Sequence, residues 1–283
     1  MGAADGLRFG TAGVPDSTPQ ITTLAALKHV HGLGLDGLEV EFVRGVKIGT
    51  DTARLVREKA SGLGLSLSVH APYYINLNSP ETGKRLQSQE HILRSARMAA
   101  VMGARSVVFH AGYYGASTPL QTHAVIKKEL KDVVSIIRSE RLPVTLRIET
   151  MGKRSQYGSL DECLTLCQEV DGLGPCLDFS HIHARGEVRA NTYLDFDRIF
   201  RKVGKRLGVA ALKDIHIHIS GIEYGAKGEI RHLNLSDSDF RYDDWVGALK
   251  DLDVAGFIIC ESPERETDAV MLKRLYTSYS QKR

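Results

Sequence analysis

Short apolar runs alternate with longer amphipathic stretches from one end of the chain to the other. The short runs have the length of buried strands, and the longer stretches repeat apolar positions at helical spacing. The predicted strands cover Leu7 to Gly10, Gly37 to Phe42, Leu65 to His70, Ser106 to His110, Val144 to Glu149, Pro175 to Asp178, Ile215 to Ile219 and Gly256 to Glu261. The predicted helices cover residues 20–33, 51–62, 81–102, 119–140, 160–170, 193–206, 239–251 and 266–279. The pattern therefore predicts eight consecutive strand–helix units.

Glycines mark several of the turns from helix to strand, as Gly-Leu-Gly at residues 32–34, 62–64 and 172–174. A glycine just past a helix adopts the left-handed conformation that turns the chain back into a parallel strand. Eight such units favour a closed (β/α)8 TIM barrel, using residues 1–283 as a single domain, over an open doubly wound sheet. The GxGxxG string at residues 32–37 precedes a strand instead of linking a strand to a helix, so it is not expected to bind a dinucleotide. The sequence contains no GxxxxGK[ST] loop, which argues against a Walker-type phosphate site.

The amino-acid composition excludes only a few classes of protein. The chain has 283 residues, of which 42% are hydrophobic and 25% charged, with a formal net charge of +3. These values are typical of a globular protein and argue against a generally cationic nucleic-acid coat protein, while leaving room for a local basic groove. No apolar run approaches the roughly 20 residues of a membrane span, and the first residues lack a signal peptide's apolar segment. We therefore expect a cytoplasmic monomer with no membrane partner.

The four cysteines are too few and too irregularly spaced for a disulfide scaffold. Cys163 and Cys167 lie four residues apart on a predicted helix, where packing is a better explanation than a metal pair.

Ionisable residues end six successive predicted strands or stand within them, although barrel strands are buried on both faces. A buried ionisable side chain is costly unless it has a partner or a metal. Strand ends of a barrel meet at its C-terminal mouth, where barrel enzymes build their sites. A mixture of imidazole and carboxylate groups suits zinc or manganese. The sequence thus predicts a metal site formed by His70, His110, Glu149, Asp178, His218 and Glu261.

Further histidines indicate more than one ion. His181 follows Asp178 by three residues, and His232 lies in the loop after the seventh strand. His216 and His218 share one face of their strand because side chains alternate, so His218 should be nearer the mouth and His216 deeper. His183 is interpreted as a loop residue and is assigned no role.

Together these motifs resemble the endonuclease IV family of abasic-site nucleases, which belongs to the xylose-isomerase-like barrels. The resemblance spans essentially the whole chain and is strongest at Val69 to Leu77, Phe109 to Gly112, Ile148 to Thr150, Leu177 to His181, His218 to Gly221 and Cys260 to Pro263. It implies a zinc-dependent hydrolase that cuts duplex DNA on the 5′ side of abasic sites, in base excision repair, with two or three zinc ions or with manganese.

The resemblance also implies a role for each residue. His70 and His110 would bind the first ion, and Glu149 would bridge it to the second, whose other ligands would be Asp178, His218 and Glu261. The third ion would be held by His181 and His232. One departure affects the third site: the family's Asp two residues before its histidine is Ile230 here. Glu229, one residue further back, is the candidate substitute, and the alternative is a weaker or absent third ion.

Three zinc ions would bring six positive charges, of which the site's three or four carboxylates return only part, so the site would attract a phosphate. A water bridging two ions can ionise near pH 7 and is the expected nucleophile. Glu149 and Glu261 are the predicted catalytic residues, Glu261 either orienting that water or acting as a ligand alone.

Recognition of an abasic site requires a bent duplex, wedge side chains and phosphate-binding groups. Arg44 and Tyr73 are the predicted DNA contacts, because their loops match the family's DNA-recognition loops. Weaker candidates on the same face are Tyr74, Tyr113, Tyr114, Lys153, Arg154, Arg185, Lys227 and Arg231.

Two other functions are compatible with these residues. A sugar isomerase or epimerase of the same barrel superfamily would use Glu149, Asp178, His218 and Glu261 around a single divalent ion. It would not require the other four histidines of the set. A metal-binding barrel without catalysis is the other alternative, supported only by the altered third-ion loop.

Overall fold

The computed structural model describes residues 6–187 and 190–279. Its strands are β1 (Leu7–Ala12), β2 (Gly37–Glu41), β3 (Ser66–His70), β4 (Ser106–Phe109), β5 (Thr145–Glu149), β6 (Leu173–Asp178), β7 (Ile215–Ile219), β8 (Gly221–Gly225), β9 (Gly228–Leu233) and β10 (Gly256–Cys260). Its α-helices are α1 (Thr23–Gly32), α2 (Thr50–Gly62), α3 (Thr82–Met102), α4 (Pro119–Ser139), α5 (Leu160–Glu169), α6 (Phe179–Arg185), α7 (Tyr193–Leu207), α8 (Tyr242–Asp251) and α9 (Arg265–Ser278).

Strands β1 to β7 and β10 run parallel and close into a barrel, in which β1 pairs with both β10 and β2. The predicted (β/α)8 barrel is confirmed, and the predicted strands match the observed ones to within a few residues. Gly34, Gly64 and Gly172 have φ angles of 74°, 68° and 93°, so the three Gly-Leu-Gly turns do place a glycine in the left-handed region. No helix among the residues described is both long and apolar enough to cross a bilayer.

Capping motifs in the sequence set where two of the helices begin. Thr118 and Ser159 each begin a helix with a capping box, in which the side chain accepts a backbone hydrogen bond and a residue three positions on returns one. Cys163, on α5, is buried in the core between the barrel and its helices, which agrees with its interpretation as a packing residue. All four cysteines are unpaired.

The interior of the barrel is polar where it approaches the mouth. Glu39 on β2 and His216 on β7 are buried and lie 3.0 Å apart between Oε2 and Nε2. Strands β2 and β7 are not neighbours in the barrel, so this contact crosses the lumen. His216 therefore lies below His218, at the depth that the sequence predicted.

The loop after β6 differs from the prediction, because it forms the short helix α6. Asp178 caps this helix by accepting a hydrogen bond of 2.7 Å from the backbone nitrogen of His181. Phe179 anchors it against Phe200 of α7 and Trp245 of α8. The assignment of His183 to a loop was wrong: it lies on α6, with its Nε2 3.0 Å from Asp239.

The connection after β7 also differs, because it contains the antiparallel hairpin β8–β9, which the sequence pattern did not reveal. The hairpin is attached to the loop after β5. The backbone nitrogen of Glu229 donates to the carbonyl of Gly152 at 3.2 Å, and Lys153 bridges to Gly228. This attachment holds β9 over the mouth of the barrel.

Candidate metal centre

The predicted ligands converge at the C-terminal mouth of the barrel. Three groups form there, and within each group the ligand atoms lie within 4.8 Å of one another. Two residues belong to two groups each: Glu149 to the first and second, and Asp178 to the second and third. The groups are His70, His110 and Glu149; Glu149, Asp178, His218 and Glu261; and Asp178, His181 and His232. A cleft of about 290 Å³ opens above them.

Glu149 is the centre of the arrangement and is almost fully buried. Its Oε2 lies 3.1 Å from His70 Nε2 and 2.9 Å from His110 Nε2. Its Oε1 faces the other way, 3.2 Å from His181 Nδ1 and 3.7 Å from His218 Nδ1. Burial would raise the pKa of this carboxyl, but the surrounding histidines hold it well below its usual value. Glu149 is therefore a carboxylate with one oxygen facing the first group and one facing the second.

In the first group, the orientation of His70 is set by the backbone. Its Nδ1 donates to the carbonyl of Ala71 at 2.7 Å, so the neutral ring presents an Nε2 lone pair to the site. Burial lowers the pKa of His70, but the hydrogen bond to Glu149 and the charge of Glu41 outweigh it and raise the pKa to about 10. Without another cation, a proton is thus held between His70 and Glu149.

The second group contains buried polar atoms without hydrogen-bond partners. Among the described residues, none forms a hydrogen bond with Asp178 Oδ2 or with His218 Nδ1. Glu261 Oε1 lies 3.2 Å from His218 Nδ1, and burial, opposed by His218, raises the pKa of Glu261 to about 8. Buried polar atoms normally have partners. A divalent cation among these nitrogen and oxygen donors would supply them, so the residues fit a zinc ion.

In the third group, lone pairs converge on one point. His181 Nδ1 donates to the carbonyl of Thr150 at 3.0 Å, and His232 Nδ1 donates to the carbonyl of Glu261 at 3.2 Å. The neutral rings therefore both present unprotonated Nε2 atoms, which lie only 3.2 Å apart. Glu229 Oε2 lies 3.5 Å from His181 Nε2. Burial lowers the pKa of His181, but the charge of Asp178 and the hydrogen bond to Glu149 outweigh it and raise the pKa well above its usual value, so without a metal a proton lies among these atoms. A bound cation would take its place, and metal-binding histidines are commonly fixed by such backbone contacts.

The sequence model of the xylose isomerase-like TIM barrel family matches residues 27–276 of this chain. The chain belongs to this family. It is similar to an uncharacterized protein of Methanocaldococcus jannaschii, with 44% identity covering 95% of this chain and 97% of that one. It is also similar to a probable endonuclease 4 of Bacillus subtilis, with 31% identity covering 62% of this chain and 58% of the relative. It is thus a divergent relative of the endonuclease 4 proteins.

Solved structures agree with the fold of this xylose isomerase-like barrel. Endonuclease IV from Thermus thermophilus superposes with a TM-score of 0.73 at 18% identity, covering 96% of this chain and 100% of that one. D-psicose 3-epimerase from Clostridium cellulolyticum superposes with a TM-score of 0.71 at 13% identity, covering 95% and 98%. At these identities the likeness shows the fold, which a nuclease and an epimerase share.

Two carboxylates of this xylose isomerase-like barrel were missed by the sequence analysis. Glu41, at the end of β2, lines the cleft, and burial raises its pKa to about 7 against the opposing charge of His70. Glu39, two residues earlier, is fully buried beneath the cleft. The signal was present, because glutamates at alternate positions of a predicted buried strand follow the rule that found the other ligands.

Of the two predicted DNA contacts, Tyr73 lines the cleft and Arg44 does not. Tyr73 is 54% exposed and lines it, with its ring 5.5 Å from that of Tyr74. Arg44 is exposed and lines a separate recess formed by the loop after β2. Arg185 was wrongly included among the weaker candidates. It is buried and donates to the carbonyls of Lys153 and Gln156 at 2.8 and 2.9 Å, so it is not available to a phosphate.

Proposed function

We propose that the protein is a zinc-dependent endonuclease that hydrolyses the phosphodiester 5′ to abasic sites in duplex DNA. The observation that supports this proposal is the presence of four additional imidazoles around the set Glu149, Asp178, His218 and Glu261. A single-ion epimerase has no use for these histidines, whereas a centre with several ions requires them. They are His70, His110, His181 and His232. The similarity to relatives named probable endonuclease 4 supports the same class.

The proposal gives each carboxylate a specific task. When bound, the zinc ions would act as Lewis acids towards the phosphodiester and towards a water molecule. Glu149 would hold two ions together with its two oxygens, and Asp178 would connect the second and third groups. Glu261, facing His218 at the edge of the cleft, would orient the attacking water. Including Glu229, the four carboxylates would return four of six positive charges, leaving a site that attracts a phosphate.

The same proposal assigns the DNA contacts. Tyr73 offers an exposed aromatic ring at the edge of the cleft, suited to contact the base or sugar beside the lesion. Arg44, one loop away, would meet a backbone phosphate. Both roles depend on the family resemblance of their loops and are tested separately below.

Incision of a duplex oligonucleotide containing one abasic analogue tests the proposal. The protein is loaded with zinc, its bound ions are counted by elemental analysis, and an identical duplex without the lesion serves as the substrate control. We expect a single cut on the 5′ side of the lesion and no cut in the control. Metal-loaded protein that leaves the damaged duplex intact while converting ketohexoses would overturn the proposal.

A sugar epimerase is the second candidate, and Glu41 is the observation that favours it. Its carboxylate lines the cleft, and its buried Oε1 has no hydrogen-bond partner among the residues described. A carboxylate beside a bound phosphate is unfavourable unless it is protonated, whereas a sugar hydroxyl could donate to it. The ketohexose arm of the assay decides between the two candidates.

A further inference from the structure

Glu39 is a buried carboxylate that belongs to none of the three ligand groups. It lies on β2, below the cleft, and its side chain is fully buried inside the barrel. A buried carboxylate is stabilised only when donors surround it. Two hydrogen bonds and one close contact with an imidazole nitrogen surround it here. Ser68 Oγ and His216 Nε2 approach its Oε2 at 2.7 and 3.0 Å, and His218 Nε2 lies 2.9 Å from its Oε1.

The two carboxylate oxygens of Glu39 face different residues. Ser68 and His216 both donate to Oε2, which holds the carboxylate in place across the lumen. Oε1 faces His218 Nε2 at 2.9 Å, a close contact that is not aligned as a hydrogen bond, and no described residue donates a hydrogen bond to it. Because a carboxylate oxygen accepts and does not donate, the proton of the His218 ring belongs on Nε2.

That proton placement determines what His218 presents to the mouth. With Nε2 protonated, Nδ1 carries the lone pair. Nδ1 lies 3.2 Å from Glu261 Oε1 and 3.7 Å from Glu149 Oε1, within the second group. A carboxylate behind a metal-binding imidazole fixes the tautomer and ring orientation and increases the basicity of the nitrogen that binds the ion.

We propose that Glu39 is a positioning residue, which holds His218 with Nδ1 directed at the second ion, and that Ser68 and His216 hold Glu39 in turn. This inference rests on the metal centre of the proposed function and is independent of its substrate. It holds equally for a nuclease and for an epimerase, because both would use His218. It also gives His216, which lies too deep to contact a substrate, a defined task.

Metal binding by Glu39→Gln tests the inference, because this change keeps the shape of the side chain and removes its charge. Glu129→Gln is the matched control, since Glu129 is a buried glutamate outside the barrel whose Oε2 accepts from Gln89 at 2.6 Å. Stepwise zinc affinities are measured by competition with a chromophoric chelator. The visible absorption of the cobalt-substituted protein reports on the ligand field, and melting temperatures report on folding.

We expect Glu39→Gln to weaken the binding of one ion by about 10- to 100-fold and to shift the cobalt spectrum, with the other affinities unchanged. Glu129→Gln should match the wild type in both readouts. Unchanged affinities and spectrum in Glu39→Gln would overturn the inference, as would an equal weakening of every ion, which would indicate a general loss of structure. A wild-type protein that binds no zinc would instead reject the proposed metal centre itself.

Glu39→Gln removes a buried charge between two histidines, so a milder variant keeps the inference testable if Glu39→Gln does not fold. Ser68→Ala deletes one hydrogen bond to Glu39 and leaves His218 and its partners in place. We expect the same ion to be weakened and the same spectral band to shift, both by less than in Glu39→Gln. Wild-type affinity and spectrum in Ser68→Ala, with Glu39→Gln unfolded, would overturn the inference.

Discussion

Glu229 Oε2 lies 3.5 Å from His181 Nε2 because strand β9 contains a bulge. Tyr224 pairs with Glu229 and Glu223 pairs with Arg231, so Ile230 is an extra residue without a partner. Side chains of a regular strand alternate, which would put Glu229 and His232 on opposite faces. The extra residue brings both to the mouth and leaves Ile230 57% exposed. A carboxylate thus reaches the third group from a position that the family pattern does not use.

Glu229→Gln should weaken the third ion. The substitution removes the negative charge beside two unprotonated imidazole nitrogens. We expect the affinity for one ion to fall by at least about 10-fold. Elemental analysis after dialysis measures it as a lower zinc count. Ile230→Ala is the control and should retain every ion, because this side chain points away from the site.

The bulge makes a second, stricter test available. Adding Ile230→Asp to Glu229→Gln restores the family's usual residue type at its usual position. We expect no recovery of the lost ion, because the bulge directs residue 230 outwards. Full recovery of the zinc count would show that the hairpin rearranges and that the bulge does not select the ligand.

The sequence predicted the parts of the site that depend on parallel strands alone. The ends of parallel barrel strands share one mouth, so His70, Glu149 and Asp178 could be grouped from their positions in apolar runs. Helix α6 and the hairpin could not be predicted in this way. Helix α6 begins directly after β6 and has only seven residues, too few to show a helical period. The bulge at Ile230 depends on pairing between two strands, which no pattern along one strand reveals.

Glu149→Gln should abolish turnover. The amide keeps one acceptor oxygen but loses the charge that faces two groups at once, so both ions should bind weakly. We expect a decrease in kcat of at least about 100-fold, together with a lower zinc count. Single-turnover incision of the abasic duplex measures the rate. An active variant with full kcat would exclude a bridging role for Glu149, and Glu129→Gln again provides the control.

His110→Ala should separate the two candidate functions. His110 Nε2 lies 2.9 Å from Glu149 Oε2 and belongs to the first group only. A nuclease that needs the first ion should lose activity by at least about 100-fold. An epimerase built on Glu149, Asp178, His218 and Glu261 should retain most of its activity. The two assays, on abasic duplex and on ketohexoses, are run on the same preparation, and nuclease activity equal to that of the wild type would remove the first ion from the mechanism.

The metal-free protein should become less stable as the pH rises from about 6.5 to about 10. His70 has a pKa of about 10 when folded and 6.5 as its ordinary value. Its stabilising effect is therefore complete below 6.5 and is lost as the pH rises through 10. Burial raises the pKa of Glu261 to about 8 and that of Glu41 to about 7. These two carboxyls therefore also destabilise the folded protein as they lose their protons with rising pH.

Burial lowers the pKa values of His216 and His232, so these two residues make the folded protein more stable as the pH rises. This effect is confined to pH values below 6.5, the ordinary pKa of histidine. Zinc takes the place of the proton at His70, so the loaded protein should depend less on pH across this range. Melting temperatures with a chelator and with zinc measure both slopes. A chelated protein whose melting temperature increases with pH across this range would contradict the assignment.

Tyr73→Ala and Arg44→Ala should weaken the binding of damaged duplex without changing the zinc count. Loss of the exposed Tyr73 ring should cost about 1–3 kcal/mol of binding free energy, as for a base stacked on an aromatic ring. Loss of Arg44 should reduce the slope of log affinity against log salt concentration by about one phosphate contact. Arg274→Ala is the control, because Arg274 is exposed beside Gly34, in a recess formed by the helix-to-strand turn at the opposite end of the barrel. Equal affinity and salt dependence in all three variants would mean that the duplex does not contact Tyr73 or Arg44.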